Sequence, residues 1–448
     1  GKLEGVRADP CEQLALLGDI PGEDVLDALA DVVELGQGRG RLHPASLGSR
    51  RVRRTVAPRR PQACGLAGPR RAGVRWHGVM TTTIRVGDPR ELLAYLPYRL
   101  GFHPRRSVVV VSVRAARGRV GLVARVDLDD LADPERGATV ASGLANHVWR
   151  DGAERAVVVV YDDDVAAGSS PEVEAAVGRA RQALESVVSR TEAWLVDGER
   201  FYAFDCADPW CCPSEGRPLG DLASTEVAAH MVLAGATIAE HRGAVTRVPR
   251  ASKAARYNVR RVAARWSQRV AADPAPEDLA AWRLDSVRAW HAVVRLGQDG
   301  GEVPARLLGR VDAGLRDVLV RDAVIMSAAR GPREAERALT HEPGTASRAM
   351  AEAFGRIFEP GHAAVPDPAE LESWCAGLRL VVAHSDRAGH APALTLLALL
   401  AWWAGDGAVA SCWLAEALAA DPGYRLAQLL MTTLEAGLPP GWARTSSA

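Results

Sequence analysis

The sequence predicts an α/β domain, a mixed sheet with flanking helices, followed by an all-α domain. Three observations predict it. Between residues 80 and 222, short β-branched runs alternate with stretches of helical period. From 223 to 448 the pattern is helix after helix. With 448 residues, 48% of them apolar and 25% charged, the chain can build more than one core of ordinary globular composition.

Residues 1–79 stand apart from both. The first 37 are acidic and hold one amphipathic stretch, "GEDVLDALADVVELG". Residues 38–79 are rich in Arg, Pro and Gly and contain no Asp or Glu. Such a stretch buries too little apolar surface to order itself. Residues 1–79 are therefore expected to be a disordered leader, upstream of a natural start at Met80; a basic arm for nucleic acid is the weaker reading of "SRRVRRTVAPRRPQ".

After Met80, "TTIRV" reads as a short strand. Asp88 caps the next helix, over "DPRELLAYLPYRLGF", with Pro89 at its first position. "SVVVVSVRA" and "RVGLVARVDL" pair around Arg117-Gly118, and the first is apolar enough to be buried on both faces. A helix over "ERGATVASGLANHVWR" leads to the buried strand "RAVVVVYDDD". The helix "PEVEAAVGRARQALESVV" follows, then a hairpin of "TEAWLVDG" and "ERFYAFDC" around Asp197-Gly198.

Four helical stretches open the second half: "STEVAAHMVLAG", "ASKAARYNVRRVAARWSQRVAA", "EDLAAWRLDSVRAWHAVVRLG" and "PARLLGRVDAGLRDVLVRDAVIMSAA". Trp282 and Trp290 lie eight apart on one face, which assigns them to the core. "LTLLALLAWWAG" is too short for a membrane span and fits a buried helix. Leu397, Gly405, Asp406, Ala410, Leu414, Ala417 and Pro422 have the spacing of one tetratricopeptide-type hairpin. A lone repeat builds no binding groove, so its expected task is packing within the protein or against a protein partner.

"LLAYLPYRLGFHPRRSVVVVSV", "VARVDL", "VVVVYDDD", "VDGERFYAFDCADPWCCPSEG" and "DPGYRLAQLL" together resemble, in the same order, the actinobacterial proteins grouped as domain of unknown function 4192. The resemblance runs from about Met80 to the C-terminus. Its most distinctive segments are Pro-x-x-Leu-Gly-Phe and Cys-Cys-Pro. It implies a cytoplasmic bacterial protein and brings no activity with it.

Two places hold candidate chemistry. Asp162, Asp163 and Asp164 follow the strand "AVVVVY", and carboxylates at such a strand end can hold Mg²⁺ beside a phosphate. The preferred reading is that they cap the next helix or solvate a turn. Cys206, Cys211 and Cys212 place three of the seven cysteines within seven residues. Three thiolates suit zinc, with His103, His230, His241 or Asp208 as candidate fourth ligands. Inward packing of small sulfurs is the preferred reading, with a redox role third.

A third feature is charge. Between Glu240 and Asp273 there is no acidic residue, while Arg242, Arg247, Arg250, Lys253, Arg256, Arg260, Arg261, Arg265 and Arg269 form the most basic stretch of the body. Nucleic acid is a possible partner there. Zero net charge and the absence of aromatic interleaving favour a solvated face, or one turned to the acidic remainder of the protein.

No phosphate-binding Walker loop, G-x-S-x-G elbow or H-E-x-x-H motif occurs. The expected function is therefore a non-catalytic binding or regulatory role through the helical half. A metal-dependent enzyme acting on a phosphorylated small molecule is the alternative.

Overall fold

The structure, a computed structural model, describes residues 88–115, 119–163, 170–204, 206, 208, 212–340 and 343–445. The leader, the start at Met80 and the strand "TTIRV" lie outside these residues.

Helix α1 (Pro89–Leu100) begins where the sequence places it, with the Asp88 carboxylate accepting from the Arg90 amide. It ends at Gly101, whose φ of +79° is the left-handed conformation that glycine adopts most cheaply. Strands β1 (Ser107–Arg114) and β2 (Arg119–Asp127) follow, then α2 (Leu128–Ala132), α3 (Gly137–Arg150), β3 (Ala153–Tyr161) and α4 (Pro171–Leu184). Strands β4 (Arg190–Val196), β5 (Arg200–Ala203) and β6 (Arg217–Pro218) complete a sheet of order β2-β1-β3-β4-β5-β6. Only β3 and β4 are parallel, because α4 carries the chain back across the sheet; the other neighbours are antiparallel.

The valine runs alternate between two cores, as the period of two requires. Val108, Val110, Val158 and Val160 pack with residues of α2, α3 and α4. Val109, Val111, Val157 and Val159 point the other way and join an apolar cluster that continues through α1 into the helical half.

That half comprises α5 (Glu226–Leu233), α6 (Arg242–Val245), α7 (Lys253–Gln268), α8 (Pro276–Gln298), α9 (Ala305–Gly314), α10 (Val318–Arg330), α11 (Pro332–Ala338), α12 (Pro343–Phe358) and α13 (Pro368–His384). The last four are α14 (Ala391–Trp403), α15 (Gly407–Ala420), α16 (Arg425–Glu435) and α17 (Gly441–Thr445). No described helix is long and apolar enough to cross a membrane.

One element differs from expectation. The stretch "PARLLGRVDAGLRDVLVRDAVIMSAA" is two helices, not one. The break comes before Asp317, which accepts from the Val320 amide as cap of α10 and grips Arg283 of α8 through both carboxylate oxygens, at 2.9–3.1 Å. Trp282 and Trp290 are core residues, as their spacing requires.

The Pro-x-x-Leu-Gly-Phe segment ties the halves together. Arg99 donates to the Asp406 carboxylate at 2.7 Å and to the Gly405 carbonyl at 2.6 Å, in the turn between α14 and α15. A Cβ on Gly101 would stand 2.9 Å from Val409 of α15, so glycine is also what permits the close approach.

Candidate functional site

Two polar regions emerge, one at the end of the sheet and one among the helices. At the sheet end, the carboxyl ends of β3 and β4 meet the amino end of β1. Asp162 is buried, its amide donates to the Val196 carbonyl, and its carboxylate lies 3.4 Å from Arg106. Arg106 also reaches Asp129 at 2.5 Å, and its own backbone is left-handed at φ +40°. Asp163 pairs with Arg105 at 3.4 Å. Beside them, Asp197 accepts from the Glu199 and Arg200 amides and from the Tyr202 hydroxyl, which fixes the β4–β5 turn.

Asp162 and Asp163 are thus brought together, but each already faces an arginine that a Mg²⁺ ion would have to displace. Asp164 lies outside the described residues. In the cysteine loop, Cys206 and Cys212 are half-buried, and the Cys212 amide donates to the Asp208 carbonyl at 2.8 Å. Cys211 lies outside the described residues. A parallel bridge between Phe102 and Ala239 draws the segments bearing His103 and His241 together, whereas His230 is exposed on α5. Among the described residues, no three His, Cys, Asp or Glu side chains gather as a metal-holding group.

The second region is a groove of about 790 Å³ in the helical half, within the size range of small-molecule sites. α8, α10, α11, α12 and α13 line it. On its wall, three residues from three helices form a hydrogen-bonded chain. The Glu336 carboxylate lies 2.9 Å from His291 Nδ1, and Ser327 Oγ lies 2.9 Å from His291 Nε2. A carboxylate only accepts, so the ring proton belongs on Nδ1. Burial pulls the His291 pKa below its usual value despite Glu336, which pulls the other way. The ring is then neutral at physiological pH. Its Nε2 and the Ala323 carbonyl, 2.9 and 2.7 Å from Ser327 Oγ, then compete for the single Ser327 hydroxyl proton.

Serine, histidine and carboxylate stand in the order of an acyl-transfer relay. Ser327, however, is inside a helix, 2% exposed, and hydrogen-bonded to that helix's own backbone. A nucleophile needs an approach that this serine lacks. The chain instead holds the His291 ring at a fixed angle.

Charge on the groove rim is unevenly matched. Arg330 pairs with Glu352, Glu334 with Arg337, and Glu336 with Arg288 as well as His291. Arg295 and Arg356 also line the groove and are exposed, and neither guanidinium enters an ion pair among the described residues. The carboxylate of Glu370, on α13, is likewise outside any such pair. Sequence reasoning missed this site. Its one local signal was a histidine, His291, placed between Val287 and Val294 on an otherwise apolar helix face.

The family model described as a domain of unknown function (DUF4192) matches residues 89–441. The chain belongs to that family. The family match therefore spans the sheet, the cysteine loop and the groove alike. No curated protein and no solved structure matches the chain.

Proposed function

We propose that this protein is a binding or regulatory protein of the bacterial cytoplasm that takes a small anionic ligand into the groove between α8, α10, α11, α12 and α13. The observation that carries the reading is the pair of arginines, Arg295 and Arg356, beside a fixed His291 in a groove of about 790 Å³. Guanidinium groups are suited to carboxylates and phosphates, which they meet through two parallel hydrogen bonds. Glu370, which also lines the groove, suits a ligand that carries an amine as well. The burial of Ser327 supports binding over acyl-transfer chemistry in this groove.

The α14–α15 hairpin, tetratricopeptide-like in its spacing, then serves the fold. All 13 residues of α14 are buried, which leaves that helix no exposed face for a partner.

A thermal-shift screen of the full chain tests the proposal, with inorganic phosphate, dicarboxylates, amino acids and nucleotides as probes. At least one probe is expected to raise Tm in the wild type. The Arg295→Ala/Arg356→Ala variant should keep its own unliganded Tm and lose about tenfold or more in affinity for that probe. A probe that binds both proteins equally would place the ligand elsewhere and overturn the reading.

A further inference from the structure

The most basic stretch of the chain carries a second surface. Helix α7 is capped by Ser252, whose hydroxyl accepts from the Ala255 amide. Its inner face is anchored by Trp266, which donates to Ser286 of α8 at 2.9 Å and stacks on Trp282 at 6.1 Å. Val259 and Ala263 complete the buried stripe. α9 packs against α7 closely: a Cβ on Gly309 would stand 2.7 Å from the Val259 carbonyl. These contacts fix which face looks outward.

The outward face is cationic. Lys253, Arg260, Arg261 and Arg265 are exposed along a helix of 16 residues, which is about 24 Å long. Among them stands Tyr257, 51% exposed. The guanidinium carbons of Arg260 and Arg261 lie 5.9 and 5.7 Å from its ring centroid. Aromatic interleaving, not expected of this stretch, is nonetheless present on this face. Tyr257 supplies it, and the structure turns that ring outward with cations on its flank. The other aromatic, Trp266, is buried, with the guanidinium carbons of Arg269 and Arg310 lying 4.7 and 4.3 Å from its ring centroid.

Acidic neighbours are few. Asp386 approaches Arg260 at 3.6 Å, and α7 itself carries no carboxylate. The net charge of the protein is zero, so this face is a local excess, not part of a general positive field.

We infer that the outward face of α7 binds single-stranded nucleic acid, with Lys253, Arg260, Arg261 and Arg265 meeting phosphates and Tyr257 stacking on a base. A base presents a flat π-face to Tyr257 only where it is not held in a duplex stack, so the exposed ring selects single strands over double. The cations on either side track the backbone without reading sequence.

The test is fluorescence anisotropy of labelled oligothymidine and oligouridine, with a duplex of matched length, titrated with the full chain. Both single strands are expected to bind more tightly than the duplex. Log affinity should fall against log salt by about 0.7 for each phosphate met. Tyr257→Ala should weaken binding about tenfold, and Tyr257→Phe should restore it, because stacking needs the ring and not the hydroxyl. Arg260→Glu/Arg261→Glu should abolish binding, with an unchanged thermal melt showing that the fold is intact. The 38–79 segment is an internal control: binding that survives the Arg260→Glu/Arg261→Glu change resides there, and the inference fails. It fails equally if the duplex binds as tightly as the single strands, or if Tyr257→Ala has no effect.

Discussion

The sheet end and the helical groove both gather charged side chains, and they treat them in opposite ways. At the sheet end, Asp162 and Asp163 face Arg106 and Arg105, and Asp129 shares Arg106. In the groove, Arg295 and Arg356 have no ion-pair partner among the described residues. Elsewhere in the helical half, the buried Asp312 keeps one carboxylate oxygen without a hydrogen bond. Charges satisfied from within hold a fold, and charges left over are available to something outside it. In the acidic triplet, whose weaker reading in sequence is a metal site, the two described members each face an arginine.

The strongest way to break this contrast is Arg106→Ala. It would leave Asp162, with 2% of its side chain exposed, buried without that arginine, at a cost of about 3 kcal/mol in a denaturant melt. Adding Asp162→Asn should recover part of the loss. Anion binding in the groove should not change. A variant as stable as the wild type would mean that the sheet end has charge to spare after all.

Asp312→Asn probes the other side. Burial, opposed by Arg316, raises the Asp312 pKa from 3.8 to about 6. The folded protein therefore holds this proton more tightly than the unfolded chain does. Stability from this group is fully present below the unfolded value and is lost as pH rises through about 6. Asparagine should add about 2 kcal/mol near neutral pH and about half of that at about pH 5. An equal gain at both values would contradict the raised pKa.

The smallest expected effect concerns His291. Its pKa is lowered in the folded protein, so the unfolded chain takes up the proton first, and stability declines as pH falls below the ordinary 6.5. His291→Gln should remove a decline of about 0.5 kcal/mol, measured by melts between about pH 7 and about pH 5.5. Protonation would also add positive charge beside Arg295, so anion affinity should rise over the same interval in the wild type and not in the variant.

Much of this fold could be read along the chain, because its causes are local. Asp88 before Pro89 set the start of α1, the β-branched runs set β1 and β3, and Asp197-Gly198 set the β4–β5 turn. The break before α10 escaped notice because an aspartate inside a helical period looks like a surface residue until its capped amide is seen. Which valine faced which helices was also hidden, since Val108 and Val109 are chemically alike. The groove was not legible at all. His291, Ser327 and Glu336 are up to 45 residues apart and meet only when three helices pack.

Arg99 and Asp406 are 307 positions apart, and the order of synthesis gives that separation a meaning. The row formed by Val109, Val111, Val157 and Val159 emerges early, and the apolar cluster it belongs to is completed by helices made near the end. Until α15 is available, α1 has no Asp406 to receive Arg99 and no Val409 to meet Gly101. Contacts this distant in sequence are slow to form. The tie between α1 and the α14–α15 turn therefore closes only after about three hundred intervening residues have been made, which makes it a late step in assembling the two halves.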